Sequence, residues 1–183
     1  MKRTKKENKA PTVLTCDPSL TAWGYVVVKG HVVLATGCIK TSPENKKRRI
    51  RKGDDNVRRI SEIIHELKTV IFAYKVNYIT TELPHGSQNA SGAIMIGVVM
   101  GIMETISHFH GIPVEWYSEN DAKKCALPGQ KVVSKSDMIE AMNNEFIVEW
   151  PTAKYIKEAV ADSLAIYYCA LHSSPTLQYL QNL

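Results

Sequence analysis

The segment TVLTCDPSLTAWGYVVV, Thr12 to Val28, constrains this chain more than any other. Thr12 to Cys16 reads as an apolar strand ending on the carboxylate of Asp17. A tight Pro18–Ser19 turn then leads into a second strand, Trp23 to Val28. Pro18 has no N–H for a sheet ladder, and Gly24 is free to take backbone angles that other residues avoid, so both punctuate the hairpin. A strand-end Asp beside a turn is by itself an ordinary turn former. It becomes a candidate ligand because further carboxylates recur along the chain in similar frames.

The sequence has 183 residues, enough for one α/β domain with a real core and too few for two comfortable ones. Residues 1–10 are expected to form a basic flexible tail and 11–183 a single domain. The net charge of +5 and pI near 9.0 favour an anionic partner, nucleic acid before membrane. Cys16, Cys38, Cys125 and Cys169 show no CxxC pairing and sit mostly in apolar runs, so reduced core thiols are expected rather than a disulfide or zinc site. The start, MKRTKKENKAP, has no apolar run behind it, and Ala93 to Ile106 reads as too short and interrupted to span a bilayer. The expectation is a soluble, cytoplasmic protein without a membrane partner.

His31 to Thr41, reached through a Lys29–Gly30 turn, reads as a third antiparallel strand. The segment Ser42 to Asn56 follows, and six of the seven residues from Lys46 to Lys52 are cationic. That density suits a solvated loop or one that meets a phosphate backbone, with Lys46, Lys47, Arg48 and Arg49 as contacts. Val57 to Tyr74 is an amphipathic helix pattern carried by Val57, Ile60, Ile64, Leu67 and Ile71. Val76 to Glu82 reads as a strand that again closes on a carboxylate, with Pro84 and Gly86 directly behind. Ser87 to His110 reads as a helix whose Gly92, Gly97 and Gly101 cost roughly 1 kcal/mol each, which points to close packing on the sheet or on another subunit. Val114 to Tyr117 is a fifth strand. Ser134 or Ser136 caps a helix to about Asn144, placing Lys131 and Lys135 at its positive end, where they are better explained as anion contacts than as stabilising features. In the last helix, Lys154 to His172, Glu158 and Asp162 share one face and repel each other unless a cation intervenes. Lys154 and Lys157 leave a surface role open for Glu158; Asp162 lies within the apolar run AVADSLAI.

Four carboxylates without a His or Cys cluster favour hard ions, Mg²⁺ or Mn²⁺, over zinc. Two ions roughly 3.5–4 Å apart suit in-line phosphodiester cleavage. Basic segments around such an acidic centre suit a nuclease.

Four motifs in order, CDPSLTAWGYVVV, TTELPHGSQNASGAIMIGVVMG, KVVSKSDM and AVADSLAI, resemble the RuvC-like Holliday junction resolvases of the ribonuclease H-like superfamily. The compact chain with its basic loop is similar to bacteriophage members. The resemblance implies a mixed five-stranded sheet, its first three strands antiparallel, with helices on both faces. It implies an Mg²⁺-dependent homodimer that presents two active sites to a four-way DNA junction, with Mn²⁺ able to substitute and two ions per site. Asp17, Glu82 and Asp162 match metal-binding carboxylates, and Lys135 matches a supporting lysine. Three departures stand out. Ser19 replaces the usual Gly of the turn. His85 stands where an aromatic residue is usual and can still stack on a base. Ala159 occupies the position of the other late ligand, leaving Glu158 as the available fourth carboxylate. A non-cleaving branched-DNA-binding protein and an RNA-directed nuclease are the alternatives on the same fold.

Overall fold

Alternation along the strands explains the layers. The computed structural model describes residues 10–44, 50–87 and 89–181. Strands β1 (Thr12–Asp17), β2 (Ala22–Lys29), β3 (Val32–Lys40), β4 (Tyr78–Glu82) and β5 (Val114–Tyr117) form one sheet in the order β3-β2-β1-β4-β5. The first three are antiparallel in succession, and β4 and β5 join as parallel strands. Side chains of a strand point to opposite faces in turn. Leu14, Cys16, Val27 and Ile79 therefore face one core, while Val13, Val26, Val28 and Tyr78 face another.

The first core is closed by α1 (Lys52–Tyr74) and α2 (Ala90–His110), through Ile63, Leu67, Val99, Ile102 and Met103. The second is closed by α4 (Lys135–Glu145), α5 (Lys154–Ser173) and α6 (Pro175–Gln181), through Met138, Met142, Val160, Leu164 and Leu177. A short α3 (Glu119–Ala126) packs beside α5 and contributes Ala122. This is the expected mixed sheet with helices on both faces.

Several local expectations are corrected. Helix α1 begins at Lys52, so the cationic run ends inside a helix whose first turn holds Asp54 and Asp55. These carboxylates favour the positive helix end. The buried stripe is Ile63, Leu67, Val70 and Ile71 with Arg59, and Val57 is exposed. Arg59 ties the stripe to the turn after β1 by donating to Leu20 O and to the Thr21 and Thr41 hydroxyls. Gly24 has no unusual backbone angle; positive φ among the described glycines occurs at Gly30, Gly111 and Gly129. Gly24 is needed because Ala159 of α5 presses on it: an added Cβ would lie 2.8 Å from that of Ala159. Overpacking of that kind costs about 1–3 kcal/mol. Ser19 has no positive φ either, and its hydroxyl accepts from the amides of Thr21 and Ala22, which explains how the turn does without glycine.

Helix α2 corrects two further expectations. Gly97 and Gly101 do not pack on the sheet; an added Cβ at either meets nothing within 4 Å. Gly92 is the crowded one, against the Ser87 hydroxyl. The helix has 21 residues and is long and apolar enough, by length and composition, to cross a membrane. Its Val99, Ile102, Met103 and Ile106 are nevertheless buried against the sheet.

Candidate metal centre

Because β1 and β4 are adjacent and parallel, their C-terminal ends coincide. The last registered pair is Cys16 with Thr81, so one residue further Asp17 lies beside Glu82. Both carboxylates continue the alternation that faces α5. The Thr15 hydroxyl donates to Ser163 O at 2.7 Å, fixing α5 against β1 immediately after Asp162. Ser134 and Asp137 form a capping box at the start of α4, and Lys135 follows the cap and donates to Asp162 Oδ2. Two strand ends and two helices thus deliver Asp17, Glu82, Asp162 and Lys135 to one place.

The electrostatics are those of crowded, half-buried like charges. Burial, then the neighbouring Asp162, push the Asp17 carboxyl up to about 6 against the pull of Lys135. Burial, followed by Asp17, Glu119 and Asp162, pushes Glu82 up to about 7. Asp162 is also raised, since its burial outweighs the hydrogen bond from Lys135. For Lys135 burial works downward, but the bond to Asp162 prevails and holds the ammonium above its ordinary value. An all-oxygen set of crowded carboxylates matches a hard divalent cation, whose charge would remove the repulsion.

Glu119 joins this group although the sequence reading passed over it. The register places Glu82 opposite Tyr117, and Glu119 follows two residues later at the first position of α3. Ligand atoms of Glu82, His85 and Glu119 lie within 4.8 Å of one another. Lys123 donates to Glu119 at 2.5 Å, and that bond holds the Glu119 carboxyl below its ordinary value. The overlooked signal is Ser118-Glu119-Asn120-Asp121, an S-x-x-D helix start. Ser118 indeed caps α3 by accepting from the Asp121 amide.

Glu158 is placed differently. It is half-buried, 3.9 Å from Lys154, and does not line the small recess that Glu82, Glu119 and Asp162 share. His85 is exposed beside Glu82. Lys131 is exposed and shares a recess with Asn120, Lys123 and Lys124. Lys46, Lys47, Arg48 and Arg49 lie outside the described residues. A cleft of about 520 Å³ opens beside the turn after β1, between Lys52, Asn56, Arg59 and Met95, but none of the clustered carboxylates lines it. Of the four cysteines, Cys16 and Cys169 are buried and Cys38 and Cys125 half-buried, and Cys125 and Cys169 meet at 2.8 Å and join α3 to α5.

The family model of the crossover junction endodeoxyribonuclease RuvC matches residues 13–170. A RuvC of Shewanella woodyi is 24% identical over 169 residues, covering 90% of this chain and 89% of its own. One from Nitratidesulfovibrio vulgaris is 28% identical over 118 residues, covering 63% and 66%. Among solved structures, Thermus thermophilus RuvC in complex with a Holliday junction substrate superposes with a TM-score of 0.68 at 22% identity, over 90% of this chain and 97% of that one. The yeast mitochondrial Holliday junction resolvase Ydc2 gives 0.63 at 11% identity, over 94% and 82%. At these identities the structural likenesses carry the fold. With the family model spanning most of the sequence, this chain belongs to the RuvC family of crossover junction endodeoxyribonucleases.

Proposed function

We propose that this chain is a metal-dependent endodeoxyribonuclease that resolves four-way DNA junctions, acting in the cytoplasm. The observation that carries the reading is the convergence of Asp17, Glu82, Asp162 and Lys135 at one end of the sheet, in a chain of this family. Asp17, Glu82 and Asp162 would hold Mg²⁺ or Mn²⁺, two ions per site. When bound, such ions supply an activated water and stabilise the leaving oxygen of an in-line displacement. Lys135 keeps its proton beside Asp162 and offers positive charge to the scissile phosphate. Burial at the strand ends keeps the carboxylates preorganised and restricts competing water. Lys131, which is exposed, and the basic run of Lys46, Lys47, Arg48 and Arg49 would meet phosphates, and His85, exposed beside the cluster, would stack on a base where it is not held by an ion.

The assay is cleavage of a four-way junction beside linear duplex and structured RNA, in Mg²⁺, Mn²⁺ and EDTA. Junction-specific products with either ion and none in EDTA are expected. Junction binding with no metal-dependent product would identify a binding protein, and preferential cutting of the RNA would identify an RNA nuclease.

Two related cuts in a junction call for two sites, which a two-fold dimer provides. Ile94, Gly97 and Gly101 fall at spacings of three and four on α2, so they share one face. That face is exposed, and nothing stands near its glycines. Small residues let helices approach closely, which supports α2 as the contact between protomers. The double change Gly97→Glu, Gly101→Glu is expected to turn a dimer into a monomer in analytical ultracentrifugation. Unchanged sedimentation would remove α2 from the interface.

A further inference from the structure

We propose that Glu119, at the start of α3, is a metal ligand of this site together with Glu82, that His85 reaches the same ion, and that Glu158 of α5 does not. The inference rests on the metal-dependent reading above and names which of this chain's own side chains complete the set.

Position argues first. On α5, the place one residue after Glu158 is Ala159, wedged against Gly24 and without a donor atom. Glu158 itself stands 3.9 Å from Lys154 and lies outside the recess that holds Glu82 and Asp162. Glu119 acts on all three. It also lines the same small recess as Glu82 and Asp162. The parallel pairing of β4 with β5 holds it there, because Glu82 and Tyr117 are opposite each other.

Distance argues second. Metal–oxygen bonds of about 2.1 Å in octahedral geometry put neighbouring ligand atoms about 3 Å apart and opposite ones about 4.2 Å apart. The ligand atoms of Glu82, His85 and Glu119 already lie within 4.8 Å. Approaches of up to about 0.6 Å for an opposite pair and up to about 1.8 Å for a neighbouring pair close the set, within the reach of side-chain rotamers. Lys123, 2.5 Å from Glu119, steadies that side chain from the far end of the same helical turn.

Chemistry argues third. An imidazole is a softer ligand than a carboxylate and suits transition metals better than Mg²⁺. Its presence beside two carboxylates tilts this position toward Mn²⁺. His85 occupies the third place after Glu82, just beyond the end of β4 and between Pro84 and Gly86.

The test counts Mn²⁺ by electron paramagnetic resonance on the full chain, comparing wild type with Glu119→Gln, Glu158→Gln, His85→Gln and Asp17→Asn. Glu119→Gln is expected to lose one ion or weaken it at least tenfold, and Glu158→Gln to bind as wild type. His85→Gln is expected to weaken Mn²⁺ while leaving Mg²⁺, read by competition, unchanged. Wild-type binding by Glu119→Gln, or loss in Glu158→Gln instead, overturns the assignment. Asp17→Asn separates the two levels. If it loses Mn²⁺ while Glu119→Gln does not, only the Glu119 inference fails; if it too binds normally, the metal-site reading itself fails.

Discussion

Asp17→Asn, Glu82→Gln and Asp162→Asn should each reduce junction cleavage at least about a hundredfold, equivalent to roughly 2.7 kcal/mol of transition-state stabilisation. Losing one ligand charge weakens or misplaces a cation, and the remaining groups cannot shift to compensate. Asp17 and Glu82 are fixed by adjacent parallel strands, and Asp162 by the α5 backbone that Thr15 holds. Junction binding should persist, because the substitutions leave the basic segments proposed to meet phosphate unchanged. Stability should move the other way. Each acid is pushed upward by burial and by its neighbours, so its charge destabilises the fold when no cation is bound. In EDTA near pH 7.5 every variant should melt above wild type, by about 2–4 °C for each kcal/mol relieved. Asp162→Asn should gain least, since it also gives up the Lys135 bond. A variant that cuts at the wild-type rate is not altered at a ligand.

Metal affinity should depend steeply on pH, in a direction opposite to that of stability in EDTA. Asp17 rises from 3.8 to about 6 and Glu82 from 4.5 to about 7 on folding. The folded chain therefore binds more protons than the unfolded one between about pH 4 and 7, and stability in EDTA falls as pH climbs through that window. Below about pH 4 both states are protonated and the contribution is fully present. A cation needs the deprotonated oxygens, so protons compete with it. Lowering pH should weaken Mn²⁺ about tenfold per unit between pH 7 and 6, and more steeply below 6, where both acids are protonated. From pH 7.5 to 5.5 the loss should reach about a hundredfold. Glu82→Gln should remove the upper step and leave the lower one. Calorimetric titrations at several pH values measure this, and a flat affinity from pH 5.5 to 7.5 would contradict the crowded-carboxylate account.

Much of the fold was legible because it is written in local pattern. Alternating apolar residues marked the strands, and β5 was bounded as observed. The Ser134 cap located α4, and helical periodicity located α1, α2 and α5. Local pattern misled where a residue's reason is another segment. Gly24 read as a conformational hinge, whereas its missing side chain makes room for Ala159, distant in sequence. The spacing of Val57 with Ile60 suggested a buried stripe, but the helix turns so that Arg59 reaches the β1–β2 turn and Val57 faces solvent.

The candidate site divides along the same line. Asp17 and Glu82 could be paired from sequence because strand alternation and breaker residues recur at both, and Asp162 because a charge within an apolar helix demands a partner. Their actual adjacency depends on the parallel register of β1 with β4, which no local pattern encodes. Glu119 and Glu158 show what only tertiary structure decides. Both are glutamates on helices near lysines, indistinguishable by type and local charge. One follows a strand that pairs with β4 and therefore arrives beside Glu82; the other points along α5 toward Lys154. Sequence determines which side chains can bind a cation, because that is a property of their atoms. Which of them share one is set by strand order and register, because nanometres of intervening chain must close before two carboxylates meet.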